Sequence, residues 1–224
     1  VDAAGIAAHY GSVSAVTFAA ALAFATTVGV AAPEAFLPAL VAVLEIPGIL
    51  IALAIAHRVR QGGSLRDAVA EVLAGSSMLL LLGGIVIGAV AGPAGMGLVA
   101  PVFVAPFAGV LVLFLLHLGI VAGHRLREVR SAGPFLVGFA VAMPLAAGAL
   151  GASLGTLAGL SVGGAAVFGA MAASASYIAA PAAVAVSLPE ANLGLALTAS
   201  LAVTFPFNLA VGIPLYHALA SRLG

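Results

Sequence analysis

HYGSVSAVTF, residues 9–18, gathers Gly11, Ser12, Ser14 and Thr17 in a chain that is otherwise mostly Ala, Val, Leu and Gly. A lone serine in an apolar helix bonds back to a carbonyl of its own turn. Three hydroxyls within six residues, behind a glycine, mark a place where a helix can open. The pattern returns in MAASASYIAAPAA, residues 171–183, where Ser174 and Ser176 are again two apart. Pro-Glu-Ala follows each cluster, at Pro33–Ala35 and at Pro189–Ala191, and leads into a segment carrying Ile-Pro, at Ile46–Pro47 and at Ile213–Pro214. Both segments close on a His and an Arg, in IALAIAHR (51–58) and LYHALASR (215–222). The same landmarks in the same order read as an internal duplication.

Hydrophobic residues make up 64% of the 224 and charged residues 6%, with mean hydropathy +1.30. That composition cannot clothe a water-facing surface, so the chain reads as an all-α integral membrane protein in the lipid bilayer. At about 20 apolar residues per crossing, it divides into seven transmembrane segments: 3–29, 35–57, 73–92, 97–122, 134–158, 161–187 and 190–220. Arg58, Arg60 and Arg66 fall between the second and third, and Arg125, Arg127 and Arg130 between the fourth and fifth. These loops lie an even number of crossings apart, so both are on one side, which the bias of arginine toward the cytoplasm makes the inner one. Arg222 is the exception. The expected location is multi-pass in the plasma (inner) membrane with the Arg-rich loops cytoplasmic.

Copy two begins five spans after copy one, and an odd offset turns the copies upside down relative to each other, as in secondary transporters built from inverted repeats. With a five-helix repeat, residues 1–57 are the last two helices of one unit, 58–72 a cytoplasmic linker, and 73–224 a complete second unit. Seven segments are then seen of an expected ten, with three before Val1. The linker, with Gly62 and Gly63, is either a solvated turn or a docking point for a cytoplasmic regulator.

Inverted-repeat transporters hold solute where paired helices break near the midplane. Two helix N-termini meeting there offer free N–H donors and partial positive charge to a small anion. Gly11, Ser12, Val13 and Ser14 suit one break, and Ser174, Ala175 and Ser176 the other. The alternative is that these hydroxyls only bond back to carbonyls or pack at helix interfaces. Glu45 stands in AVLEIPGILI beside Pro47, and a carboxylate at that depth marks an ion site or pathway by default. It either joins freed carbonyls and hydroxyls around Na⁺ or H⁺, or is a protonated acid bonded to a neighbouring helix. Thr204, Pro206 and Asn208 in VTFPFN are the polar, uncharged counterpart in copy two. Glu34 and Glu190 each follow a proline at a helix start, where they complement the helix dipole.

Other chemistry finds little footing. The five histidines are scattered without HxxxH or HExxH spacing, there is no Cys, and no nucleophile triad or phosphate loop stands out. No enzyme, no cofactor and no metal beyond Na⁺ is expected, and with zero net charge and no Lys no nucleic-acid partner either. Gly151, Gly155 and Gly159 form the small-xxx-small pattern of close helix packing.

VDAAGIAAHYGSVSAVTFAAAL (1–22), LEIPGILIALAIA (44–56), AASASYIAAPAA (172–183), PEAN (189–192) and TFPFNLAVGIPLY (204–216) together resemble the sodium-dependent bicarbonate transporter family, the SbtA-like permeases. The resemblance implies ten helices in two inverted repeats, a homotrimer, and Na⁺-dependent bicarbonate uptake by elevator movement of a core against a gate. It carries bicarbonate binding onto Gly11, Ser12, Val13, Ser14, Ser174, Ala175 and Ser176, and Na⁺ binding onto Thr17, Glu45, Ser176 and Tyr177. Tyr177 departs from the aspartate of cyanobacterial members. The PII-like regulator of those members has little to dock on in so short a central loop. Rival readings are a transporter for another small anion, an anion channel, and a non-transporting membrane sensor.

Overall fold

The structure is a computed structural model that describes residues 1–29, 33–60, 66, 70 and 73–224. The described residues are mostly helical and include no strand: α1 (Asp2–Tyr10), α2 (Ala15–Thr27), α3 (Leu37–Arg60), α4 (Ser76–Phe103), α5 (Phe107–Leu157), α6 (Val162–Ala172), α7 (Ala179–Ser187) and α8 (Leu193–Leu223). The protein is an all-α membrane protein. Six apolar stretches among the described residues are long enough to cross a bilayer: Asp2–Thr27, Leu37–Ile55, Leu79–Phe103, Phe107–Val129, Ala132–Leu157 and Leu193–Leu223. The sixth segment, 161–187, is split at its expected break into α6 and α7, of 11 and 9 residues, neither of which could span alone.

Two boundaries differ from expectation. The third and fourth segments were expected to part at Gly92-Pro93, yet α4 runs on to Phe103 and the chain turns at 104–106. Gly92 takes φ +60, which a glycine adopts without steric cost, so the pair kinks the helix and does not end it. The Arg-rich stretch expected as a loop between the fourth and fifth segments is helical. Its Arg, Leu and Glu are good helix formers, Arg125 pairs with Glu128 at 3.0 Å, and α5 bends only at Gly133, φ +83, before Pro134. Most of the expected linker 58–72, including Gly62 and Gly63, lies outside the described residues.

Small residues set the packing. Added Cβ atoms at Gly151 and Gly155 of α5 would meet Ala172, Gly169 and Ala165 of α6, so this face is bare to admit α6 closely. Gly148 leaves room for the Tyr216 ring of α8. Pro206 and Pro214 cannot donate to the carbonyls four residues earlier, and α8 widens to π-helix over Thr198–Thr204 and Asn208–Gly212. In contrast, α4 is exposed along its spanning stretch.

A candidate ion site where two broken helices meet

Two helices stop and restart inside the bundle. The first opens at Gly11–Ser14 between α1 and α2, and the second at residues 173–178 between α6 and α7. A serine stands just ahead of each restart. Ser14 Oγ accepts the Thr17 N–H at 3.2 Å as the N-cap of α2, and Ser176 Oγ accepts the Ala179 and Ala180 N–H groups, both at 3.2 Å, ahead of α7. A serine oxygen at this position answers donors that the first turn of a helix cannot pair.

The breaks are bonded to each other. Ser14 N–H donates to Ser174 Oγ at 2.8 Å, Ser176 N–H donates to the His9 carbonyl at 2.8 Å, and Ser14 Oγ donates to Tyr177 OH at 3.0 Å. Ser174 Oγ in turn donates to the Met171 carbonyl at 2.7 Å. Both restarting N-termini therefore abut one small cavity of about 40 Å³, lined by Val13, Ser14, Ala15, Glu45, Leu81, Ser176, Tyr177 and Ile178. Glu45 is 5% exposed, and its Oε2 has no hydrogen-bond partner.

Of the residues expected to bind ions, Val13, Ser14, Glu45, Ser176 and Tyr177 line this cavity, and the rest do not. Ser174 is occupied by the Ser14 amide. Ala175 packs beside Tyr10 and Leu136, and Thr17 is buried in the first turn of α2. Ser12 is 1% exposed, and its hydroxyl lacks a partner. Gly11 lies against Gly48 of α3, so tightly that a Cβ on Gly48 would run into the Gly11 carbonyl. That contact holds α3, and Glu45 one turn earlier, against the first break.

Thr204 and Asn208, the expected uncharged counterparts of Glu45, instead support backbone around the site, together with Tyr10 and Tyr216, which the sequence did not single out. Pro144 deprives the Ala140 carbonyl of its amide partner, and Thr204 Oγ1 donates to it at 2.6 Å while accepting from Tyr10 OH at 2.7 Å. Asn208 Nδ2 donates to the Ala173 carbonyl at 2.9 Å, answering a backbone oxygen left over at the second break. Tyr216 OH stands 2.9 Å from the Pro144 carbonyl and 3.1 Å from Asn208 Oδ1. Away from water, the Ala140 and Ala173 carbonyls would otherwise be costly. Glu34, expected to serve the start of its own helix, reaches instead to α6, where Ser161 N–H donates to Oε1 at 2.6 Å. Asp2 Oδ1 accepts the Asn192 N–H at 2.8 Å, so each Pro-Glu-Ala region touches the entry to the other broken helix.

Broken helices meeting tip to tip around a cavity, inside a bundle of spanning helices, are the architecture of membrane transporters that bind small ions. The chain belongs to the Na⁺-dependent bicarbonate transporter superfamily, whose family model matches residues 1–221. No curated protein matches it.

Proposed function

We propose that this transporter moves bicarbonate together with Na⁺, with the anion held between the N-termini of α2 and α7 and the cation beside Glu45. The observation that carries the reading is the convergence of two helix N-termini, two serines and one carboxylate on a single cavity. Room of about 40 Å³ takes at least one water, and suits a small ion better than an organic solute. Oriented amides and partial positive charge favour an anion, and the Glu45 oxygen without a partner favours a cation. In a site of low dielectric each ion strengthens the field for the other, and by linkage each raises the other's affinity by the same factor.

Family membership supports the pairing of Na⁺ with bicarbonate. The tight cross-bonding of the breaks beside an exposed α4 supports movement of the crossed helices as a unit, in the manner of an elevator. An inverted-repeat division, a trimer, and a plasma-membrane location with the arginines of α5 on the cytoplasmic side belong to the same reading.

The test is uptake of labelled bicarbonate into liposomes with and without an inward Na⁺ gradient, beside a Ser14→Ala, Ser176→Ala double variant. Na⁺-driven uptake that the double variant abolishes is the expected result. Uptake indifferent to Na⁺ would remove the coupling, and no bicarbonate uptake under either condition would remove the substrate and turn attention to other small anions.

A further inference from the structure

We propose that Leu81 is the wall that sets which anions fit, a deeper claim that rests on the anion reading of the cavity above. The other lining residues belong to the two breaks, to the start of α2 and to α3, whereas Leu81 comes from α4. Its neighbours face away: Leu79, Leu80 and Leu82 are 61%, 77% and 42% exposed. Leu81 alone of the four is turned inward, partly buried against the cluster containing Val13, Leu37 and Val41.

An isobutyl group offers no hydrogen bond to a solute, so its contribution to a polar cavity is to exclude volume and water. Excluding water strengthens the field of the serines, the helix termini and Glu45. Excluding volume limits the anion. The cavity is about 40 Å³, so removal of the three terminal carbons of one leucine is a large fractional change.

Competition of bicarbonate uptake by formate, acetate, propionate and butyrate tests the claim in Leu81→Ala and Leu81→Phe proteins, with Leu82→Ala as an outward-facing control. The expected result is that Leu81→Ala makes propionate and butyrate at least ten times better competitors. Leu81→Phe should leave formate as the best competitor and weaken acetate and bicarbonate together, and Leu82→Ala should behave as the parent. The same size order in all four proteins would overturn the proposal.

A second readout does not depend on transport. The 224 residues contain no cysteine, so Val13→Cys gives one cavity-lining thiol, whose labelling by a small charged methanethiosulfonate should be at least tenfold faster with Leu81→Ala and slower with Leu81→Phe. Equal labelling rates would also overturn the proposal, as would changed labelling with unchanged size order. If the parent takes up no bicarbonate, the function reading fails separately, and labelling alone decides whether Leu81 walls the cavity.

Discussion

Gly48→Ala puts the arrangement at greatest risk for the smallest chemical change. An ideal Cβ at this position overlaps the Gly11 carbonyl and Cα, which are backbone atoms at the first break with no flexible side chain to give way. Overpacking that side chains can absorb costs about 1–3 kcal/mol. Here the helix itself must withdraw, by roughly 1 Å or more to regain ordinary carbon contact. Glu45 is one turn earlier on α3 and would leave Ser14 and Ser176 with it. A 1 Å error in a preorganised site can cost about 100-fold, so uptake should fall by about that factor. Alanine is the better helix former by about 1 kcal/mol, so propensity alone would make the variant more stable, and any loss must be steric. Gly83→Ala and Gly88→Ala in α4, where an added Cβ meets nothing within 4 Å, are matched controls expected to transport normally. Initial uptake rates at equal incorporated protein make the comparison, and a Gly48→Ala protein within threefold of the parent would mean that the Gly11–Gly48 contact does not position Glu45.

Tyr216→Phe removes the hydroxyl beside the Pro144 carbonyl and Asn208 Oδ1. A buried acceptor left without its donor costs about 1–3 kcal/mol, which should show as a lowered apparent unfolding temperature in detergent. Ser176→Ala alone strips the acceptor from two amides of α7; it should cost about 1 kcal/mol of stability and weaken bicarbonate more than Na⁺ in uptake titrations. Glu34→Gln keeps a bond to the Ser161 amide but loses the charge at the start of α6. Its stability should drop by about 0.3–1 kcal/mol, less at high salt, with the apparent KM for bicarbonate unchanged.

The two breaks were legible because their signal is local: hydroxyls two apart, small neighbours, and glycine or proline nearby, in a background of Ala and Val. Which member of each pair faces the cavity was not legible. Ser14 and Ser176 line it while Ser12 and Ser174 do not, and this depends on how one break crosses the other, 160 residues apart in the Ser14–Ser174 bond. Glu45 stood out through the cost of burying a carboxylate. Gly48, three residues on, did not, because its necessity lies in the position of Gly11 and not in its own segment. Glu34 was read as a local cap for the same reason, since its partner amide, Ser161, is 127 residues away. The misplaced boundary at Gly92-Pro93 has a different origin. In a lipid-facing helix both sides of a kink are equally apolar, so composition does not separate a bend from a stop.

The crossing of the two N-termini is proposed to bind anion and cation as one coupled site. Calorimetric titration of bicarbonate into the purified protein across a series of Na⁺ concentrations, with K⁺ as replacement, tests it most directly. The bicarbonate Kd should fall as Na⁺ rises, bicarbonate should tighten Na⁺ by the same factor, and Ser14→Ala, Ser176→Ala should remove both effects. Bicarbonate binding that is equal in Na⁺ and K⁺ and survives the double substitution would contradict the proposal.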